Sequence, residues 1–382
     1  METTPPHRLP WILACLIACI FVTPVHAQEE VAMWAQWRER MEKHIAQRSG
    51  IIAWDIPYHL PTPDRQPNLK QSLDVYSTNS PQLQPVMMYV HGGGWKRGDK
   101  RAVGAKANYY LEQGWVFVSV NYRLHPEGMY PKNAQDVADA VAWVYESIEA
   151  YGGDPNQIYL MGHSAGAHLA SLVGTDHSLL EKHQIAPKTI KGVISLDTAV
   201  LNLPRLIDQD GGILYQKIFG DNPATWEEIS PITYVYAEKE YPPFLLVVAG
   251  NDANRLDQAE FFGASLQQTG SEVFILDADD KTHASVNREI GTADDYVTQQ
   301  ITAFILQTKQ SQPPSQPQSQ QPEQTDNQSP ALPATHPETE NSAPSNEAES
   351  EVVEVIDQSN ELPVEPSAES TPANDHQPAQ SE

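Results

Sequence analysis

The 382-residue sequence predicts an α/β protein with a mostly parallel central sheet covered by helices on both faces. Three observations predict it. Short apolar runs alternate with amphipathic, helix-length segments as far as Leu306. Several of the runs are apolar throughout, as strands buried on both faces are. Glycine-bearing turns and polar residues follow those runs at their C-terminal ends, where such sheets place their sites.

Residues 1–27 read as an export signal: Arg8 gives a weakly positive start, Trp11 to Val22 is an apolar run, and Val25-His26-Ala27 precedes a cleavage point. The expected location is periplasmic or secreted. The run is short for a membrane span, which needs about 20 residues. Leu16-Ile17-Ala18-Cys19 resembles a bacterial lipobox, and lipidation of Cys19 is the rival reading. Cys15 and Cys19 are the only cysteines, so a chain cleaved after Ala27 has no disulfide or thiol chemistry.

Residues 28–310 hold the globular domain. Glu29 to Arg48 has Val31, Trp34, Trp37, Met41 and Ile45 at helical spacing and reads as a packing helix. Leu73-Asp74-Val75-Tyr76 alternates as a strand, and Pro85 to Val90 is a buried one. His91-Gly92-Gly93-Gly94-Trp95 follows at once. Three consecutive glycines lose much backbone entropy on ordering, so a merely flexible turn does not explain them. They let backbone N–H groups approach a ligand, and those near Gly93 and Gly94 are candidate oxyanion donors with that of Ala165. His91 is expected to shape this loop. Trp95 is a core or pocket-wall residue and, with His163, a candidate substrate contact.

Trp115 to Val120 is the next strand, and Asn133 to Glu149 an amphipathic helix ended by Tyr151-Gly152-Gly153-Asp154-Pro155. Asp154 reads as a turn residue. Gln157 to Met161 is a strand that runs into Gly162-His163-Ser164-Ala165-Gly166 and then a helix, the context a nucleophile elbow requires. Lys191 to Leu196, Phe244 to Ala249 and Glu272 to Leu276 are the remaining strands. Residues from about Leu201 to Tyr241 read as a small insertion over the site. Leu256 to Gln268 and Tyr296 to Leu306 read as helices.

A serine hydroxyl needs a histidine to take its proton and a carboxylate to orient that histidine. His283, beyond the last strand, is the expected base for Ser164. Asp252, after Phe244 to Ala249, is the expected acid, with Asp197, Asp277, Asp279 and Asp280 as rivals. His163 and His168 flank the serine and point away from its hydroxyl. No metal-ligand spacing and no dinucleotide fingerprint occurs, so no cofactor or metal is expected.

The region from about Leu73 to Leu306 resembles the α/β-hydrolase esterases, a group that includes feruloyl and acetyl-xylan esterases, lipase-type carboxylesterases and kynurenine formamidase. The resemblance rests on His91 to Trp95, Gly162 to Gly166, Gly250-Asn251-Asp252 and His283. It also covers Tyr122-Arg123-Leu124, Tyr130 to Asp136, Ser230-Pro231 and Pro242 to Leu245. It implies the α/β-hydrolase fold and a serine hydrolase of small carboxylic esters. Asn251 to Arg255 departs from it, since many relatives carry a longer polar or proline-containing turn there. An aryl formamidase on the same machinery and a non-catalytic hydrolase-like binding protein are the alternative readings.

Residues 311–382 form a Pro/Gln/Ser/Glu-rich tail, expected to be disordered because it has too little apolar surface to offset its chain entropy. Its one apolar patch is Glu351 to Ile356. The formal net charge is −26. The tail holds 14 of the 50 acids and none of the 24 bases, which leaves 36 acids against 24 bases elsewhere. That balance disfavours nucleic acid and anionic lipid surfaces as partners.

Overall fold

The computed structural model describes residues 50–59, 68–78, 80–210 and 212–311. The expected signal segment, the helix over Glu29 to Arg48 and all of the tail beyond Ser311 lie outside the described residues.

Eight strands form one sheet in the order β1-β2-β4-β3-β5-β6-β7-β8. They are β1 (Gly50–Pro57), β2 (Ser72–Thr78), β3 (Gln84–Val90), β4 (Val116–Val120), β5 (Gly153–His163), β6 (Ile190–Leu196), β7 (Phe244–Ala249) and β8 (Val273–Ala278). β2 pairs antiparallel with β1 and with β4. All other pairings, from β4 through β3 to β8, are parallel. The principal helices are α1 (Lys106–Glu112), α2 (Lys132–Ser147), α3 (Ala165–Thr175), α4 (Leu203–Asp210), α5 (Ile213–Phe219), α6 (Pro223–Glu228), α7 (Ala253–Gln268) and α8 (Tyr296–Ser311).

The continuous apolar runs are explained by two cores, one on each face. Successive side chains of a strand point to opposite faces. Val86, Met88 and Val90 of β3 therefore join Ile158 and Leu160 of β5 in a core covered by α2, α3 and α7. Met87 and Tyr89 join Tyr159 and Met161 in the other, covered by α1 and α8. Each fully buried Val, Leu or Met contributes about 1.5–3 kcal/mol. A polar residue on either face of β3 would forfeit that, so the run has no alternation to show.

β1 departs from the expected fold, since no strand is apparent in its sequence. Its pairing with β2 shifts register between Ala53 and Ile56, and Asp55 there has φ +54°. The bulge breaks the period-2 pattern by which a strand is read. Buried Lys100 fixes this edge, donating to Asp74 of β2 and, at 2.6 Å, to Asp55. The expected insertion is present: α4, α5 and α6 all lie between β6 and β7.

Candidate active site

Ser164 sits between β5 and α3 with φ +54° and ψ −118°, a conformation disfavoured for a residue with a side chain. The flanking glycines make the turn possible. A Cβ at Gly162 would lie 2.2 Å from the Gly166 carbonyl oxygen, and one at Gly166 would lie 2.1 Å from that of Val90. The backbone is fixed by Ser164 N–H donating to the Leu196 carbonyl at 2.9 Å. Ala165 opens α3, so its N–H is one of the first-turn donors that no helical carbonyl can accept from.

The glycine loop follows β3 on the adjacent parallel strand. Gly93, Gly94 and Trp95 all have positive φ, at 124°, 60° and 58°. The Gly93 carbonyl accepts from the N–H groups of Lys96 and Arg97 at 3.2 and 3.1 Å. Nothing lies within 4 Å of where a Gly94 Cβ would be, which leaves room for a substrate to approach. His91 plays its expected shaping part. Its ring stacks on Tyr122 at 4.5 Å, and its carbonyl accepts from the Tyr122 hydroxyl at 3.0 Å. Burial pushes His91 down to about 4, so the ring is neutral near pH 7.

His283 Nε2 lies 3.1 Å from Ser164 Oγ. Its Nδ1 lies 2.5 Å from Asp197 Oδ2. Asp197, at the end of β6, is 1% exposed. Its other oxygen accepts from the Ala249 N–H at 3.0 Å. Burial opposes ionisation of this carboxyl. The hydrogen bond from His283, that from Ala249 and the nearby Arg255 outweigh burial and hold it below the ordinary carboxylate value.

Asp252 is therefore corrected as the partner of His283: the structure places Asp197 there. Asp252 caps α7 instead, with Oδ1 accepting from the N–H groups of Asn254 and Arg255 at 3.1 and 3.0 Å. A capping carboxylate is held at the start of its helix by the donors it satisfies. Arg255 Nη1 stands 3.3 Å from both Asp197 Oδ2 and Asp252 Oδ2. Asp252 and Arg255 also line a cavity of about 180 Å³ with Leu206, Ile213 and Tyr215. Asp277, Asp279 and Asp280, the other rivals, make no hydrogen bond or ion pair with His283 among the described residues; Asp280 accepts from the Tyr296 hydroxyl at 2.7 Å.

The two expected substrate contacts are also corrected. His163 is 9% exposed, and its Nε2 donates to the His283 carbonyl at 2.7 Å, with the two rings 4.7 Å apart. Burial first, and then the neighbouring His283, push it down to about 4. Trp95 is 6% exposed and packs on Phe219 at 4.8 Å, while its indole N–H donates to His168 Nδ1 at 3.2 Å. Both side chains are spent on protein. Asp154 is the expected turn residue, accepting from the Asn156 N–H at 2.9 Å.

Groups the sequence gave no reason to single out hold the histidine loop. Lys106 Nζ donates to the Asn287 carbonyl at 2.6 Å, and the Tyr89 hydroxyl donates to Asn287 Oδ1 at 2.8 Å. Burial pulls Lys106 down to about 7. Among the described residues, one trio has the spacing of metal donors: His59, Asp136 and Asp139. Asp136 already accepts from Arg123 on both oxygens, and Asp139 from Lys182 and His183, which suits an ionic network better than a cation site.

A serine on a strained strand-to-helix turn, a glycine loop on the neighbouring strand and a histidine beyond the last strand are the arrangement of the α/β-hydrolase fold. Comparison with known proteins gives the same answer. Residues 73–262 match the BD-FAE family model. Esterase LipQ of Mycobacterium tuberculosis is 31% identical over 267 residues, 63% of this chain and 61% of the relative. Isoprenylcysteine alpha-carbonyl methylesterase ICME of Arabidopsis thaliana is 29% identical over 241 residues, 57% and 54% of the two chains. The aligned part thus spans little more than half of these relatives' length. Among solved structures, a truncated carbohydrate esterase from gut microbiota superposes with a TM-score of 0.58 at 17% identity, over 68% of this chain and 96% of that one. Esterase B from Lactobacillus rhamnosis gives 0.55 at 21% identity, over 74% and 98%. The fold is that of the α/β-hydrolases, and in sequence the chain is similar to esterases over the matched residues.

Proposed function

We propose that this chain is a serine hydrolase of small carboxylic esters that works through an acyl-enzyme. The observation that carries the reading is the continuous path from Ser164 Oγ through the His283 ring to Asp197, with steps of 3.1 and 2.5 Å. His283 Nε2 takes the Ser164 proton as Oγ attacks the ester carbonyl. N–H groups of Gly93, Gly94 and Ala165 donate to the oxyanion that forms. Asp197 keeps the His283 proton on Nδ1, leaves Nε2 free to accept, and stabilises the imidazolium. As the intermediate collapses, the alcohol leaves with the proton from His283. Water, deprotonated by the same nitrogen, then attacks the acyl-enzyme and releases the acid and Ser164.

The esterase names of the sequence relatives support an ester substrate. The leader-like residues 1–27 support export, to the periplasm or beyond.

Hydrolysis of 4-nitrophenyl acetate, butyrate and a long-chain ester tests the reading in wild type and Ser164→Ala. The short esters are expected to turn over in wild type, and the mutant should retain less than about one part in 10⁴ of kcat. Equal rates in the two proteins would refute the role of Ser164. Activity confined to an aryl formamide would refute the ester assignment while keeping the machinery.

A further inference from the structure

His168 follows the nucleophile by one turn of α3 and is 1% exposed; its N–H donates to the Ser164 carbonyl at 3.0 Å, and its ring nitrogens bond Trp95 and Ile229. Its Nε2 lies 2.6 Å from the Ile229 carbonyl, just after α6 in the insertion. A carbonyl can only accept, so Nε2 carries the hydrogen. Burial pushes this histidine down to about 4, so near pH 7 it has one ring proton and a bare Nδ1. That bare nitrogen faces the Trp95 indole N–H at 3.2 Å. The hydrogen bonds therefore run in one direction, from Trp95 to His168 to Ile229.

Trp95 is the last residue of the glycine loop. Its φ of +58° is disfavoured for a residue with a Cβ and must be held from outside. The backbone is held by His125 N–H donating to the Trp95 carbonyl at 2.7 Å. The side chain is held by His168 and by the edge-on rings of Phe219 and Tyr215 from α5. We propose that His168 is a positioning residue for the oxyanion hole: through Trp95 it ties the glycine loop to the nucleophile helix and to the α4–α6 insertion, fixing where the Gly93 and Gly94 N–H groups point. The inference rests on the hydrolase reading and deepens it. An insertion displaced by a bulky substrate would pull on the same Trp95 that sets oxyanion geometry.

The test uses the full chain with 4-nitrophenyl butyrate as substrate and an alkyl trifluoromethyl ketone as inhibitor. The ketone adds Ser164 Oγ to its carbonyl and leaves an oxyanion in the hole. Loss of one oxyanion donor costs about 10²–10³ in kcat, which sets the ceiling for misaligning the loop. His168→Leu is expected to lower kcat about 10–100-fold with KM changed less than about threefold, and to weaken the ketone by the factor that kcat loses. Trp95→Phe keeps a ring in place but removes the N–H, and is the variant to read if His168→Leu does not fold. It should move kcat and ketone affinity together, by a smaller factor. The double variant should be no slower than His168→Leu alone, since the two residues act in one chain. Wild-type kcat and ketone affinity in folded Trp95→Phe and His168→Leu, with Ser164→Ala inactive, would overturn this proposal alone. A loss of kcat with ketone affinity unmoved would overturn it too. Equal activity of wild type and Ser164→Ala would sink the hydrolase reading and the proposal with it.

Discussion

Asp197 and Asp252 stand just beyond the C-terminal ends of adjacent parallel strands, β6 and β7, yet their carboxylates do different work. Asp197 is buried and faces an imidazole; Asp252 is half-exposed and faces the backbone of the helix that follows it. The difference begins with what comes next in the chain. After Asp252, α7 starts at once, and its free N–H groups claim the nearest carboxylate. After Asp197, no helix starts until Leu203, and the backbone turns with φ +55°, leaving the side chain to meet His283. Position at a strand end is therefore not enough to make an acid orient a histidine. The residue must also escape capping.

The largest effect that could break this comparison is that of Asp197→Asn. The amide can present a donor to Nδ1 and favour the wrong imidazole tautomer, so kcat on a short ester should fall about 10³–10⁴-fold at little cost in fold. A loss below tenfold would contradict the assignment. Stability of the same pair sharpens the point. Asp197 has a folded value depressed below its unfolded one, so its stabilisation is fully present above about pH 4 and fades as pH falls through the folded value. The gap in unfolding free energy between wild type and Asp197→Asn should close when denaturant titrations are moved from pH 7 toward pH 3.

Arg255 touches both carboxylates, so Arg255→Met should have an intermediate effect. Without the guanidinium the Asp197 carboxyl rises toward its ordinary value. The stability gap between Arg255→Met and Arg255→Met/Asp197→Asn should then close at higher pH than the gap between wild type and Asp197→Asn, with kcat at pH 7 reduced less than about tenfold. An unmoved closure would contradict the link. The smallest effect belongs to Asp252→Ala. Removing a cap costs about 0.5–2 kcal/mol, to be read as a lower thermal midpoint, while kcat should stay within about threefold.

Most of the sheet was legible because β3, β4, β6 and β7 are buried on both faces and carry nearly unbroken apolar runs. Ser164 and the glycine loop were legible because their backbone conformations demand glycine neighbours at fixed offsets, which is a local constraint. The acid was not, because the choice between Asp197 and Asp252 depends on which carboxylate His283 reaches, a contact across 86 residues. One local signal did bear on it: Asp252 directly precedes a helix pattern, and aspartate in that place is a preferred cap. Trp95 and His163 misled for a related reason. Next to the expected nucleophile and glycine loop an aromatic ring reads as pocket wall, and only the packing of α5 and of the histidine loop shows both rings covered. β1 was hidden by its bulge at Asp55.

The most direct measurement is the proton spectrum of the His283 ring, assigned by its absence in His283→Ala. A hydrogen bond to a buried carboxylate moves the Nδ1 proton far downfield of the amide region and slows its exchange. That resonance should be present in wild type, lost in Asp197→Asn and kept in Asp252→Asn. Its survival in Asp197→Asn together with its loss in Asp252→Asn would contradict the pairing on which the catalytic reading stands.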